Sequence, residues 1–288
     1  MNKDEYLELL RIKLENEHAE DKDSVIAKCL SWFDICSEAG MTEEETISKI
    51  GDVDTFIKRI KTQQSDTVYD LTISLKTGIV DEIIIKNSNK TSFTIDDSIS
   101  DYIEITNENN HITISDSDTN RFGFNLSLGS IEIEIDSNIR FENISIKAVS
   151  TDFIIGKLKT YNFRLNCVSS DLSIESLMGS DFSTKNVSGD TKIKEVNVQN
   201  ISLNTVSGDY HFDSITCENL TLKTVSGDFS SNILKTNFMS FNTTSGDISS
   251  NACEIEKVKG HTTSGDVTLK GNVKENNISS LSGEIRLN

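Results

Sequence analysis

The chain has 288 residues, 35% of them hydrophobic, and carries 28 Lys plus Arg against 46 Asp plus Glu, a formal charge of −18. That length has room for about two domains, and that charge argues against association through nucleic-acid phosphates or anionic lipid surfaces. No run reaches the ~18 uninterrupted apolar residues of a membrane span, and the acidic start from Met1 to Leu10 lacks the basic and apolar regions of a signal peptide; the expectation is a cytoplasmic protein, with cell-envelope association as the alternative.

Residues 1–62 carry a helical pattern. Tyr6, Leu10 and Leu14 are spaced by four, and Ile26, Cys29, Leu30, Phe33 and Cys36 follow the i, i+3, i+4, i+7 rule of an amphipathic helix. Gly40 is read as a C-terminal stop. Thr42-Glu-Glu-Glu45 is a capping box at the next helix start, where carboxylates suit the positive end of the dipole. Gly51 ends that helix, and Asp52 caps a fourth with Val53, Phe56, Ile57 and Ile60 on its apolar face and Lys58, Arg59 and Lys61 in its last turn. The expectation is a bundle of three or four helices.

The start Met1-Asn-Lys-Asp-Glu-Tyr-Leu-Glu-Leu-Leu10, then Glu38-Ala-Gly-Met-Thr-Glu-Glu-Glu-Thr46 and Ile50-Gly51, resembles the HAAS helical signalling domain of Gram-positive bacteria. The sequence departs from that family at Asp52-Val53, where a proline is usual, and at Trp32-Phe33, near its tyrosine-rich segment. The resemblance implies a protein partner for this region and a link to membrane-bound or regulator-coupled signalling.

A polar connector spans 63–69. From 70 to 148 come strand-like runs such as Glu82 to Lys86, Tyr102 to Thr106, His111 to Ser115 and Ile131 to Ile135, irregularly spaced, as distorted first rungs or a cap would be. Regularity begins at 149. Gly189, Gly208, Gly227, Gly246, Gly265 and Gly283 follow at intervals of 19, 19, 19, 19 and 18 residues, and Ser170 and Thr151 continue the beat upstream. A unit this short cannot close its own core and must stack on the next.

Within each unit apolar residues fall at +2, +4, +7, +12, +14 and +17 from the glycine; from Gly208 these are Tyr210, Phe212, Ile215, Leu220, Leu222 and Val225. Period two means strands with these side chains inward. Equivalent strands of adjacent units then pair in parallel at ~4.8 Å per rung. The predicted class is mainly β: a right-handed parallel β-solenoid (β-helix) of 19-residue coils over 70–288, irregular over 70–148 and regular over 149–288. The glycine is read as a turn residue with positive φ, with Ser and Asp bonding nearby amides. Proline is absent from the whole chain; a ladder that uses nearly every backbone N–H gives a reason to exclude it, and a biased coding composition would do so too.

Taken with the strands from about Asp70, the recurrent Thr/Asn-Val-Ser-Gly-Asp motif is similar to the bacterial "putative adhesin" family of envelope-associated β-solenoids. That resemblance implies an envelope-associated β-solenoid.

Three outward polar rows are expected: Thr205, Thr224, Thr243 and Thr262; Ser207, Ser226, Ser245 and Ser264, preceded by Ser188; and Asp209, Asp228, Asp247 and Asp266, preceded by Asp190 and followed by Glu284. Carboxylates ~5 Å apart repel by roughly 0.8 kcal/mol per pair in water, so the Asp row needs an offset. Hydrogen bonds from turn amides are the structural reading, and a cation or glycan strip the functional one. Calcium coils would need Gly-Gly-x-Gly-x-Asp repeats, which do not occur, so no metal site or cofactor is expected.

His111, His211 and His261 are isolated, as are Arg121, Arg140, Arg164 and Arg286, and none of the sequence fingerprints for metalloproteases, serine hydrolases or nucleotide-binding loops occurs. No catalytic residues are predicted. Five cysteines without CxxC spacing, among them Cys29, Cys36, Cys217 and Cys253 at inward positions, read as buried free thiols. The expected function is a non-enzymatic binding or scaffold protein of the bacterial envelope or its stress-signalling system. Its helical module would engage a protein, and its solenoid an extended ligand such as a cell-wall glycan. The alternatives are a carbohydrate-active β-helix enzyme and a purely cytoplasmic signalling regulator.

Overall fold

The computed structural model describes residues 2–16, 25–26, 29–30, 33, 42–57, 68–117 and 129–288. The chain divides into two compact units, Met1–Asp66 and Thr67–Asn288.

In the first unit, α1 (Lys3–Asn16) and α2 (Glu43–Ile50) are joined in one core by helical residues at 25–26, 29–30, 33 and 53–57. Tyr6, Leu10, Leu14, Val25, Cys29, Phe33, Ile50, Phe56 and Ile57 are buried together. The Tyr6 ring meets Phe33 and Phe56 edge-on at centroid distances of 6.1 and 6.3 Å, and its hydroxyl donates to the Gly51 carbonyl at 3.0 Å. The Thr42 capping box is present, with the Glu45 carboxylate accepting from the Thr42 N–H at 2.8 Å. Those bonds hold the Glu45 carboxyl below its ordinary range, and the Thr55 N–H does the same for Asp52 at the next helix start. The expected Gly40 stop, Cys36, Ile60 and the cations at 58, 59 and 61 lie outside the described residues.

The second unit is a β-solenoid of about eight turns at ~19-residue spacing. Its regular part comprises β8 (Asp152–Cys167), β9 (Leu172–Lys185), β10 (Thr191–Asn197), β11 (Asn200–Asn204), β12 (Tyr210–Lys223), β13 (Phe229–Thr243), β14 (Ile248–Thr262), β15 (Val267–Ser280) and β16 (Ile285–Leu287). Each pairs in parallel with the next coil, as in Tyr210↔Phe229 and Phe229↔Ile248. The Ser-Gly-Asp tripeptides superpose layer upon layer.

The first layers are wound out of sequence order. β1 (Val68–Ser74) lies between β7 (Arg140–Ala148) and β5 (His111–Asp116), and β2 (Val80–Ser88) between β8 and β6 (Gly129–Asp136). The stack then ends in two antiparallel strands, β3 (Ser92–Ile95) on β6 and β4 (Ile103–Glu108) on β5. Reversing direction there replaces a long parallel edge with short antiparallel ones, four and six residues in length.

Inward columns follow the period-two pattern at +2, +4, +7, +12 and +14: Tyr210, Phe212, Ile215, Leu220 and Leu222 are all buried. Aromatic rings continue between coils, Phe163 to Phe182 at 5.6 Å and Phe212 to Phe229 at 5.8 Å. The +17 assignment is overturned. Val168, Val187, Val206 and Val225 are outward and 46–48% exposed, while the residues that precede them, Cys167, Asn186, Thr205 and Thr224, are buried, as are Thr243 and Thr262 at the same place in the next two coils. Strand parity is the reason: from Leu220 and Leu222 the next inward position is Thr224, and the chain turns only after it.

The turn glycines also differ from expectation. None of Gly189, Gly208, Gly227, Gly246, Gly265 or Gly283 has positive φ. Close approach is what demands glycine: a Cβ at Gly227 would lie 2.1 Å from the Gly208 carbonyl oxygen, and one at Gly246 as close to that of Gly227. The corner column is backbone stacked on backbone.

All four cysteines among the described residues, Cys29, Cys167, Cys217 and Cys253, are buried and free. Burial pushes the Cys217 thiol up to about 11, so it is protonated in the folded protein at neutral pH. Cys217 is expected to resist a thiol reagent at pH 8 until the chain is unfolded in denaturant; prompt stoichiometric labelling of the folded protein would contradict its placement. The sign for stability follows. Below the unfolded-state pKa of ~8.5 both states hold the proton. As pH rises from there toward about 11 the unfolded thiol ionises first, and the stability from this group is lost.

Candidate edge of the solenoid

One edge of the regular coils gathers most of the predicted residues. Reading Val-Ser-Gly-Asp through the corner, Val, Ser and Asp face out and Gly faces in. The edge therefore carries three parallel columns: Val149, Val168, Val187, Val206 and Val225; Ser207, Ser226, Ser245 and Ser264; Asp190, Asp209, Asp228, Asp247 and Asp266.

The predicted Thr row does not belong there. Thr205, Thr224 and Thr243 turn inward, and each hydroxyl oxygen accepts from the turn-glycine N–H three residues on, at 2.9, 2.8 and 2.9 Å. Thr243 and Thr262 also donate to the glycine carbonyls at 3.1 and 3.0 Å. A hydroxyl that both accepts and donates closes the corner from inside, where no water reaches. These residues are structural clamps. Asn186 holds the same place one coil earlier, its amide donating to the Ser170 and Gly189 carbonyls at 2.8 and 3.1 Å.

Each serine reaches back one coil. The hydroxyls of Ser207, Ser226 and Ser245 donate to the carbonyls of Val187, Val206 and Val225 at 3.3 Å, and that of Ser264 to the Thr244 carbonyl at 3.2 Å. The aspartates form a ladder. The N–H of Asp171, Asp190, Asp228, Asp247 and Asp266 donates at 2.8 Å to Oδ1 of the aspartate one coil before, that of Asp209 does so at 3.0 Å, and Glu284 continues the series onto Asp266. A hydrogen bond to a charged acceptor contributes about 1.5–3 kcal/mol, more than the roughly 0.8 kcal/mol of repulsion per neighbouring pair. The ladder holds for that reason.

A substitution series separates the two contributions. Asp228→Asn keeps an oxygen acceptor for the Asp247 N–H and removes repulsion toward two neighbours; it is expected to leave stability unchanged or slightly raised. Asp228→Ala leaves that N–H without its carboxylate and is expected to cost about 1 kcal/mol. Thermal melts of the two variants check this, and equal losses would show that the row is held by the carboxylate charge and that an oxygen acceptor alone contributes nothing.

Beside the Asp column runs a groove of about 580 Å³, whose other wall includes Lys192, His211, Ser230, Ser249 and Thr268. The His211 Nδ1 lies 2.9 Å from the Ser230 hydroxyl, and Nε2 lies 3.6 Å from Asp213. No other histidine joins it. Among the described residues no group of three or more His, Cys, Asp or Glu is arranged to hold a metal ion.

Hydrophobicity alone places the valine at +17 inward, so it hides the exposed column. Counting parity straight on from +12 and +14 would have found it.

The profile of the family described as Toastrack DUF4097 matches residues 50–212 and 197–288. Among solved structures, a putative adhesin from Parabacteroides distasonis ATCC 8503 aligns with TM-score 0.52 at 13% identity, over 77% of this chain and 93% of that one. A putative adhesin from Bacteroides fragilis NCTC 9343 gives TM-score 0.47 at 19% identity, over 77% and 92%. A putative lipid binding protein from Parabacteroides distasonis ATCC 8503 gives 0.49 at 19%, over 77% and 93%. Identities this low speak to the fold alone. No curated protein matches the sequence.

Proposed function

The chain belongs to the Toastrack DUF4097 family, and from that premise we propose that it is a non-enzymatic binding and scaffold protein of the bacterial envelope or its stress-signalling system. The solenoid presents its Val-Ser-Asp edge to an extended partner, with a cell-wall glycan as the working candidate. The observation that carries this reading is the valine column: five valines stacked one per coil, each 41–48% exposed. Apolar side chains kept at the surface in register are a cost to solubility that a binding strip explains. The flanking Ser and Asp columns supply polar groups at the same spacing, so contacts add along the edge rather than converge on one point.

The helical unit serves as the protein-interaction module. Leu9 and Ile12, one turn apart on α1, are 51% and 48% exposed, an apolar pair that its own core leaves uncovered. Among the described residues no helix is long and apolar enough to cross a membrane.

The test uses the full chain with purified cell-wall sacculi. Val187→Asp with Val206→Asp should preserve the melting transition and abolish retention, whereas Leu9→Glu with Ile12→Glu should leave retention intact and remove capture of the protein partner. Sacculus binding that is unchanged by the double valine substitution would defeat the edge assignment. Fractionation of the untagged protein places it on one side of the membrane or the other.

A further inference from the structure

Away from that edge, one corner of the early coils carries a small cationic depression. It measures about 260 Å³ and is lined by Arg140, Lys159, Tyr161, Met178, Gly179 and Ser180. Gly179 contributes bare backbone to its wall. Gly179 pairs with Thr160, which pairs with Phe141, yet a Cβ on Gly179 would lie 1.7 Å from the Thr160 carbonyl oxygen. No side chain can stand there, and the neighbouring Tyr161 and Met178 remain 43% and 48% exposed around the gap.

The charges are unusual for this protein. With 46 acidic residues against 28 basic ones, lysines on the solenoid are commonly neutralised one coil along, as in Lys157–Glu175, Lys235–Glu254 and Lys257–Glu275. Arg140 and Lys159 form no ion pair among the described residues. The Arg140 guanidinium sits over the Tyr161 ring, 6.0 Å from its centroid, which holds the planar fork in place and leaves its edge available.

We infer that this depression is a binding site for a phosphate monoester with an aromatic or apolar substituent. Two cations match the −1.5 to −2 charge that such a group carries near pH 7. The fork of Arg140 suits two phosphate oxygens, Lys159 supplies a point charge, and Tyr161 and Met178 offer a flat polarisable surface to the substituent. The volume falls just short of the ~300–1,000 Å³ of sites that enclose a drug-sized ligand, so it receives a head group while the remainder stays outside. Neither the valine column nor the Asp ladder takes part, and the site stands or falls apart from the edge reading.

The experiment titrates the full chain at near-physiological salt with phenyl phosphate, inorganic phosphate and phenol, read by calorimetry and by protein chemical shifts. Phenyl phosphate is expected to bind about tenfold more tightly than either fragment, with shifts centred on Tyr161, Met178 and Gly179. Arg140→Gln and Lys159→Gln, both at exposed positions that leave the fold intact, should each weaken it about fivefold or more. Vesicles of phosphatidylcholine containing phosphatidic acid form a second arm. Retention on them that Arg140→Gln removes would assign the phosphate to a lipid head group; binding of the soluble ester alone assigns a free ester. Phenyl phosphate that binds no better than inorganic phosphate, or equally well to the Arg140→Gln and Lys159→Gln double variant, overturns the site.

Discussion

Replacing Gly227 with alanine is expected to destabilise the solenoid by roughly 3 kcal/mol, more than most surface-turn substitutions would. The added methyl would fall 2.1 Å from the Gly208 carbonyl oxygen and 2.9 Å from its carbon. Both are backbone atoms locked in the ladder, so no rotamer change relieves the clash. Relief requires two coils to separate at the corner, which stretches the bonds from the Asp228 N–H to Asp209 and from the Ser226 N–H to the Val206 carbonyl. Urea unfolding of the full chain measures the effect. Ser226→Ala, one residue earlier, loses only an exposed hydroxyl bond and should stay within about 0.5 kcal/mol of the parent. If the glycine variant were as mild as the serine one, the close stacking of the corner would be wrong.

Removing residues 210–228 should leave a folded, shorter protein, whereas removing 210–218 should break the stack at that point. The longer deletion joins Asp209 to Phe229, and Phe229 pairs in register with Tyr210, which itself pairs with Thr191. Every outward column then closes up by one rung, at the cost of the bond between Tyr210 and Thr184. The shorter deletion brings Asn219 to the place of Tyr210, and an odd shift out of phase with the repeat turns buried positions such as Leu220 and Leu222 outward. Because each coil touches only its neighbours, stability is close to a sum of coil and interface contributions. The first variant should show a single cooperative urea transition with a smaller m-value, in line with less surface exposed on unfolding. The second should melt at lower urea in separate steps, one for the coils on each side of the break.

The period, the parallel stacking and the inward columns were legible in the sequence because all three follow from one repeat and one strand rule. Val225 and Thr224 show where that stopped: hydrophobicity pointed Val inward, but parity from Leu222 and a hydroxyl bonded to the Gly227 N–H decide the orientation. The glycines were recognised as essential for the wrong reason, since inter-coil distance leaves no trace in a single repeat. The insertion of β1 and β2 between later strands was invisible, because residues about 70 apart, as Leu71 and Ile144 are, carry no local sign of pairing. The depression beside Arg140 needed three coils brought into line before its charges could be seen together. Of the predicted edge residues, the Ser and Asp rows stand at the surface as read, and the Thr row does not.

The final turn has a thinner interior than those before it. Along one core column Leu234 is followed by Cys253 and then Gly271, and along another Met239 by Val258 and then Asn276; Gly271 and Asn276 are exposed where their predecessors are buried. The molecule is thus graded in cohesion from one pole to the other. Amide protons of 267–280 should be released to solvent by fraying that leaves the middle layers shut, giving the stack a direction in which it unzips.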